Sequence, residues 1–292
     1  MGSPFSSFGI SHRVMNAGMG HIATPALAAA VANAGGLGML ATSTLTPAQV
    51  GAAVDETRRF TDRPFGANIT LAYPHAAEIA EVLLDKQVHV LNLSMGSAPA
   101  LVGRAHALGI SVFASVTTVR HARRAERDGV DALVATGHEA AGHGSELTTL
   151  VLVDRLFDEI RIPIIAAGGV CDARSVSALR ALGAAGVSLG TRFALSAESP
   201  VHSSTRVALL ATDADGTLVT DRLDGFPSRV LAAGRALAIA AGDDDLGETR
   251  LSITHGLLDR GVVACGQIVG RIREIRTCRE IIDSLSDGSS DL

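Results

Sequence analysis

Tryptophan is absent, tyrosine occurs once (Tyr73) and lysine once (Lys86). With 8 phenylalanines as the only other aromatic carbocycles, any large core has to be aliphatic. The 3 cysteines, Cys171, Cys265 and Cys278, are odd in number, far apart and never arranged as C-x-x-C. That argues against a disulfide framework and against a cysteine-based zinc site. No apolar run reaches the roughly 18 residues of a membrane span, and the best, Val230 to Ala241, is broken by Arg235. Residues 1–20 lack a charged start followed by an apolar stretch, so no secretory leader is expected and the cytoplasm is the default location. Positive charge is not in excess either. A net charge of -5 makes nucleic acid and anionic membranes poor partners.

What is present is apolar material in a regular order. The chain has 292 residues, 47% of them hydrophobic and 19% charged, enough for a large core and too apolar for disorder. A (β/α)8 barrel takes about 250 residues, and two domains of about 150 would also fit by length. Short runs of Val, Ile and Leu alternate with Ala-rich amphipathic stretches. Strands are expected at 14–17, 37–41, 65–69, 89–93, 111–115, 132–135, 164–167 and 186–189. Helices are expected near 25–34, 47–59, 75–85, 98–108, 119–128, 147–160 and 173–182. The strands are apolar without alternation, as when helices cover a parallel sheet. Thr24-Pro25, Thr46-Pro47 and Tyr73-Pro74 read as helix starts, because a first turn tolerates the missing proline N–H.

Beyond the eighth strand, residues 197–241 read as helix and loop with an acidic turn at 212–216. Residues 249–284 read as two further helices, and 286–292 as a frayed polar tail. No linker rich in Pro, Gly and Ser divides the chain. The reading is one α/β domain over 1–292, a (β/α)8 TIM barrel at about 8–195 with C-terminal helical additions at about 196–285. An open doubly wound sheet is the alternative, but neither G-x-G-x-x-G nor a P-loop stands at a strand-to-helix turn.

In such a barrel, chemistry gathers at the C-terminal strand ends, with phosphate in the loops after strands seven and eight. Those strands end in Ala167-Gly168-Gly169-Val170 and Leu189-Gly190-Thr191-Arg192. Glycine lets backbone N–H groups approach phosphate oxygens, and Thr191 adds a hydroxyl. Tight turns alone would explain either glycine pair; both together, at the expected places, favour phosphate. The loop after strand six, Gly137 to Ser145, holds His138, Glu139 and His143 among small residues. Zinc hydrolases need His at i and i+4 on a helix, and here the spacing is five, so no metal is expected. His143 is the favoured catalytic residue and His138 the weaker candidate. The first strand ends in Asn16-Ala17-Gly18-Met19-Gly20-His21, and Asn68 stands at the end of the third. A buried Asn there offers donor and acceptor to a heteroaromatic ring edge, although a turn-stabilising role is about equally plausible.

These segments resemble the nitronate monooxygenase family (formerly 2-nitropropane dioxygenases), FMN-dependent TIM-barrel oxidoreductases. The likeness runs from about residue 8 to 285. It is carried by Thr24 to Gly38, by the Gly137-His138-Glu139-Ala140-Ala141-Gly142-His143 loop, by Ile162 to Gly169 leading to Gly190-Thr191-Arg192-Phe193, and by Gly266 to Gly270. The resemblance implies an FMN held by Ala17, Gly18, Met19 and Asn68 at the ring and ribityl, with Gly142 beside it. Gly168, Gly169, Gly190 and Thr191 would take the phosphate. It makes His143 the group that moves the substrate's α-proton, a task for which an imidazole titrating near neutrality is suited.

Three departures from the family pattern stand out. Gly18 occupies a position where the family has proline, Asn16 stands for a common Gln, and Ala140-Ala141-Gly142 for Ala-Gly-Gly. The single lysine falls before strand four, on the face away from the flavin. Positive charge for a reduced flavin therefore has to come from backbone donors near Gly18, from His21 or from an arginine in a distant loop.

The resemblance implies oxidation of alkyl nitronates or nitroalkanes by O2 or, alternatively, NAD(P)H-dependent reduction of a quinone or enoyl thioester. A barrel that merely senses a phosphorylated ligand is the reading from another class. Partners would be small molecules, and a homodimer is compatible with all three. With so few aromatics, the substrate pocket should be aliphatic, with Met19, Met95 and Tyr73 nearest.

Overall fold

A computed structural model describes residues 4–5 and 8–285. Eight parallel strands follow one another around a barrel: β1 (Val14–Asn16), β2 (Gly38–Ala41), β3 (Phe65–Thr70), β4 (Val90–Ser94), β5 (Ser111–Val116), β6 (Ala132–Thr136), β7 (Ile164–Ala167) and β8 (Gly186–Leu189). Helices α1 (Pro25–Asn33), α2 (Pro47–Phe60), α3 (Ala76–Asp85), α4 (Pro99–Ala107), α5 (Val119–Arg127), α6 (Thr149–Glu159) and α7 (Ala173–Ala181) alternate with them, and a short α8 (Thr191–Ala194) follows β8. The eight expected strands and seven expected helices are present, shifted by a residue or two at their ends.

Alternate strand residues divide the core into two compartments. Met15, Leu37, Met39, Val90, Phe113, Val134 and Ile165 fill the lumen with Phe5. Val14, Leu40, Leu91, Val112, Leu133, Ile164 and Val187 face outward into the layer beneath the helices. Fixed strand pairs of this kind need a ladder on both edges, and the ladder is thinnest between β1 and β2. There the strands share a single bridge at Met15 and Leu37. Asn16, fully buried, completes it with its side chain: Nδ2 donates to the Met39 carbonyl at 2.9 Å, and Oδ1 accepts from the Met39 N–H at 2.8 Å. An amide side chain thus stands in for a strand residue.

Two helix starts follow the expected chemistry. Thr24 accepts from Leu27 N–H ahead of α1, and Thr46 forms a capping box with Gln49 ahead of α2. Tyr73-Pro74 does not. Helix α3 begins at Ala76 after His75, which is left-handed at φ 63 and makes no side-chain cap, so Pro74 belongs to the preceding turn. Proline sets only its own φ, and the left-handed His75 after it turns the chain before the helix starts.

The C-terminal segment differs from a purely helical reading. After α9 (Ser203–Leu210), strands β9 (Thr217–Thr220) and β10 (Ser228–Leu231) form an antiparallel ribbon with Thr220 opposite Ser228. Helices α10 (Arg235–Ala240) and α11 (Thr249–Thr254), a 3-10 turn at Gln267–Arg271 and α12 (Cys278–Asp283) complete it. Four-residue strands show barely two alternations, too few to separate them from loop by pattern. The ribbon is held by a small core of its own, where Val230 packs with Ala236, Ile239, Val262 and Leu218. Helix α12 returns to the β1 side, where the Arg279 guanidinium donates to the Asn33 carbonyl at 2.8 Å. The expected frayed tail, 286–292, lies outside the described residues.

Replacing Asn16 with Ala should leave two buried backbone groups of Met39 without partners, at about 1–3 kcal/mol each. The midpoint of thermal unfolding, followed by circular dichroism, should fall by roughly 4–10 °C. An unchanged midpoint would show that the β1–β2 seam closes without the side chain.

Candidate flavin and substrate site

The C-terminal strand ends open into a cavity of about 1140 Å³. Its floor is a polar layer above the apolar lumen. Asn92 Nδ2 donates to Asn68 Oδ1 at 2.7 Å and to Ser115 Oγ at 3.0 Å, linking β3, β4 and β5. Asn92 Oδ1 is buried at this cavity wall with no hydrogen-bond partner. A ring imide or amide N–H could satisfy it, as a bound heteroaromatic group would. Asn92 and Ser115 were not singled out from sequence, although a polar residue in an otherwise apolar strand was the available signal.

The expected cofactor residues converge on this cavity. Ala17, Gly18, Met19, Asn68, Gly142, Gly168, Gly169, Gly190 and Thr191 all line it, as does His143. Gly18 lies so close to Asn68 that a Cβ would stand 2.4 Å from the Asn68 Cβ. The first-strand loop can therefore rest on the asparagine only without a side chain. Gly168 and Gly169 have φ of 111° and 72°, conformations that turn successive backbone groups toward one side. A Cβ on Gly169 would meet nothing nearer than 4.0 Å, and one on Gly190 nothing nearer than Met19 Sδ at 3.6 Å. Both therefore border free space that a phosphate can fill. Gly190 itself has an ordinary φ of -96°, so its role is room, not backbone strain. The Thr191 hydroxyl accepts from Gly266 N–H at 3.0 Å and keeps its own proton to donate. These groups fit a flavin phosphate and ring.

The loop after β6 separates into structural and exposed members. Glu139 accepts from the Thr149 N–H and hydroxyl, both at 2.8 Å, and so is spent on the start of α6. His138 is not among the cavity-lining residues. Its Nδ1 lies 3.2 Å from the Ser145 carbonyl and its Nε2 2.7 Å from an Arg229 nitrogen, which fixes Nδ1–H as donor and Nε2 as acceptor. The structure brings His143, not His138, to the cavity.

Segments distant in sequence also reach the cavity or the residues that line it. Asp224, in the loop of the β9–β10 ribbon, lies 3.0 Å from His143 Nε2. Burial, then the Asp224 charge, raises the Tyr73 phenol above its ordinary range. Arg250 of α11 and His21 both line the cavity, the latter left-handed at φ 59°. Burial, followed by the Arg250 charge, lowers the His21 pKa. Arg250 thus brings a positive charge to the cavity wall from a helix far along the chain, not from a loop. Met19, Met95 and Tyr73 line the wall as expected. Burial pushes Cys265 and Cys278 up to about 12, so neither offers a thiolate near neutral pH.

A parallel eight-stranded barrel with a glycine-lined cavity and a histidine loop at its C-terminal face is the layout of a barrel enzyme. The nitronate monooxygenase family model matches residues 4–85 and 79–288, and the chain belongs to that family. It is 32% identical to (3aS,4S,5R,7aS)-5-hydroxy-7a-methyl-1-oxo-octahydro-1H-indene-4-carboxyl-CoA dehydrogenase of Rhodococcus jostii, over 95% of this chain and 92% of that protein. It is 31% identical to nitronate monooxygenase of Paraburkholderia phytofirmans, over 77% of this chain and 74% of that one. Among solved structures, FabK from Thermotoga maritima superposes with a TM-score of 0.92 at 35% identity, covering 98% of this chain and 95% of that one. The chain is accordingly a flavin-dependent oxidoreductase with a small-molecule substrate. Among the described residues, no helix is long and apolar enough to cross a membrane.

Gly190→Val should place methyl groups in the space beside Met19 and lower the flavin content of the purified protein. Far-UV circular dichroism should stay near wild type, because the φ of -96° suits valine. Full flavin occupancy in the variant would move the phosphate elsewhere.

Proposed function

We propose that this chain is an FMN-dependent oxidoreductase acting on an acyl thioester of the coenzyme A type, with His143 moving the proton at the carbon beside the carbonyl. The observation that carries the proposal is the size and reach of the cavity. Pockets for one drug-sized ligand span about 300–1,000 Å³. At about 1140 Å³, this one leaves room for a large substrate beside a flavin. One arm reaches α4 and α5, lined by Ala98, Val102 and Ala125 and by the β5 residues Ala114 and Val116. His121 and Arg124 line the same arm, and His21 and Arg250 another part of the wall, so cationic groups are at hand for the phosphates of such a substrate. The two relatives named as carboxyl-CoA dehydrogenases match 95% of this chain, further along it than the nitronate monooxygenases do.

FMN would supply hydride or electron transfer when bound. The residues for it are Ala17, Gly18, Met19, Asn68 and Gly142 around the ring and ribityl, and Gly168, Gly169, Gly190 and Thr191 at the phosphate. His143 holds or returns the proton that accompanies the redox step. Met19, Met95 and Tyr73 exclude water from the reacting carbon. His138 keeps the loop in place through Ser145 and Arg229. A second reading, oxidation of alkyl nitronates by O2, is favoured by the family match.

Flavin released from the purified protein should run as FMN in chromatography. Anaerobic NADH or NADPH followed by an enoyl-CoA should bleach and then restore its visible spectrum. O2 uptake with propyl-1-nitronate and no such response to thioesters would select the second reading. For the accepted substrate, His143→Ala should retain flavin and lose about 10²–10⁴-fold in turnover. Over a series of acyl chain lengths, KM should fall by the equivalent of roughly 0.8 kcal/mol per buried methylene until the arm is full. A flat series would mean that the apolar arm does not receive the acyl chain.

A further inference from the structure

Asp224 belongs to the loop 221–227 that joins β9 to β10, outside the barrel proper. It nevertheless borders the cavity through its contacts: Tyr73, His143 and Phe226, which line the cavity, all meet its carboxylate. His143 Nε2, from the β6–α6 loop, lies 3.2 Å from Oδ1 and 3.0 Å from Oδ2. Tyr73, from the β3–α3 loop, donates its O–H to Oδ2 at 3.4 Å. The Phe226 N–H donates to Oδ1 at 3.2 Å, which closes the loop on itself. The Phe226 ring meets the His143 ring edge-on, with centroids 6.1 Å apart and planes at 87°. The His143 and Asp224 side chains are each 29% exposed, so neither swings freely in solvent.

A carboxylate accepts hydrogen bonds and cannot donate them. A neutral His143 facing Asp224 through Nε2 therefore carries its proton there, which leaves the Nδ1 lone pair available. We infer that Asp224 is a positioning residue that fixes His143 as the Nε2–H tautomer, so that Nδ1 is the nitrogen that exchanges a proton with the substrate. In the oxidative direction, the substrate C–H bond breaks, the proton moves to Nδ1 and the electron pair stays on the substrate carbon. In the reductive direction, the imidazolium breaks its Nδ1–H bond and gives that proton to the carbon beside the carbonyl. In both, the imidazolium faces the Asp224 carboxylate while it holds the proton. The β9–β10 ribbon thereby supplies half of the proton-transfer pair, and the barrel alone holds an unoriented histidine. This inference rests on the reading of His143 as the proton-transfer group.

The test uses the flavin-loaded protein and compares Asp224→Asn, Asp224→Glu and His143→Gln. Turnover is measured with enoyl-CoA and NAD(P)H or with neutral 1-nitropropane and O2, whichever supports it, because the preformed nitronate has already lost the proton in question. Asp224→Asn should keep the flavin spectrum and a KM within a few-fold of wild type while kcat falls about 10²-fold, the scale of a misoriented catalytic group. Asp224→Glu, which keeps an acceptor, should recover most of that loss. Nitrogen NMR of histidine-labelled protein, with the His143 signals assigned by their loss in His143→Gln, should show wild-type His143 protonated at Nε2. Asp224→Asn should shift that tautomer balance. Wild-type His143 protonated at Nδ1 would overturn the inference even if the variants fold poorly. So would an unchanged kcat in Asp224→Asn when His143→Gln is inactive. Full activity in His143→Gln would instead overturn the underlying reading of His143.

Discussion

The barrel depends on closing its first strand onto its second, and that closure rests on one side chain. Strand β1 is three residues long and shares a single bridge with β2. The Asn16 amide supplies the missing pair of hydrogen bonds to Met39. Because Asn16 is held, the next residues, Ala17 to His21, leave the strand in a fixed direction and cross the mouth. The same amide donates to the Ala17 carbonyl at 3.0 Å, tying the seam to the loop that faces the cavity. A structural bond and a binding wall are thus consecutive in sequence.

The mouth is assembled by subtraction. Gly18 lets its loop rest on Asn68, while Gly142, Gly169 and Gly190 leave open space where side chains would project. Polar groups then line the floor, and one of them, Asn92 Oδ1, lacks a partner. In a protein interior such a group costs free energy, commonly about 1–3 kcal/mol, which a bound ligand with a donor would offset. Small residues give the volume and buried amides give the orientation.

The C-terminal segment completes what the barrel leaves open. The Arg229 guanidinium of β10 reaches His138, and Asp224 of the same ribbon reaches His143. One ribbon therefore grips both histidines of a single loop, one to hold the loop and the other at the cavity. Backbone pairing between Gly142 and Arg229 joins ribbon and loop directly. The two histidines look alike in sequence, and their neighbours make them different.

Much of this was legible in the residues alone. Eight short apolar runs separated by amphipathic stretches point to a parallel α/β sheet, since strand and helix periods differ and both faces of each strand must be buried. Closure into a barrel is seen only in the structure. The glycine pairs after strands seven and eight and the histidine loop after strand six identify the mouth, because topology sends those strand ends to one side. The local pattern favours His143 over His138 but does not give the reason. That is decided by Arg229, 91 residues downstream of His138, and by Asp224, 81 residues downstream of His143. Nor did it disclose the ribbon, whose four-residue strands are stabilised by contacts with Ile239 and Val262 and not by their own period. Local patterns determine elements and the order in which they stack. Pairings between loops depend on where those elements finally lie, and only the tertiary structure decides them.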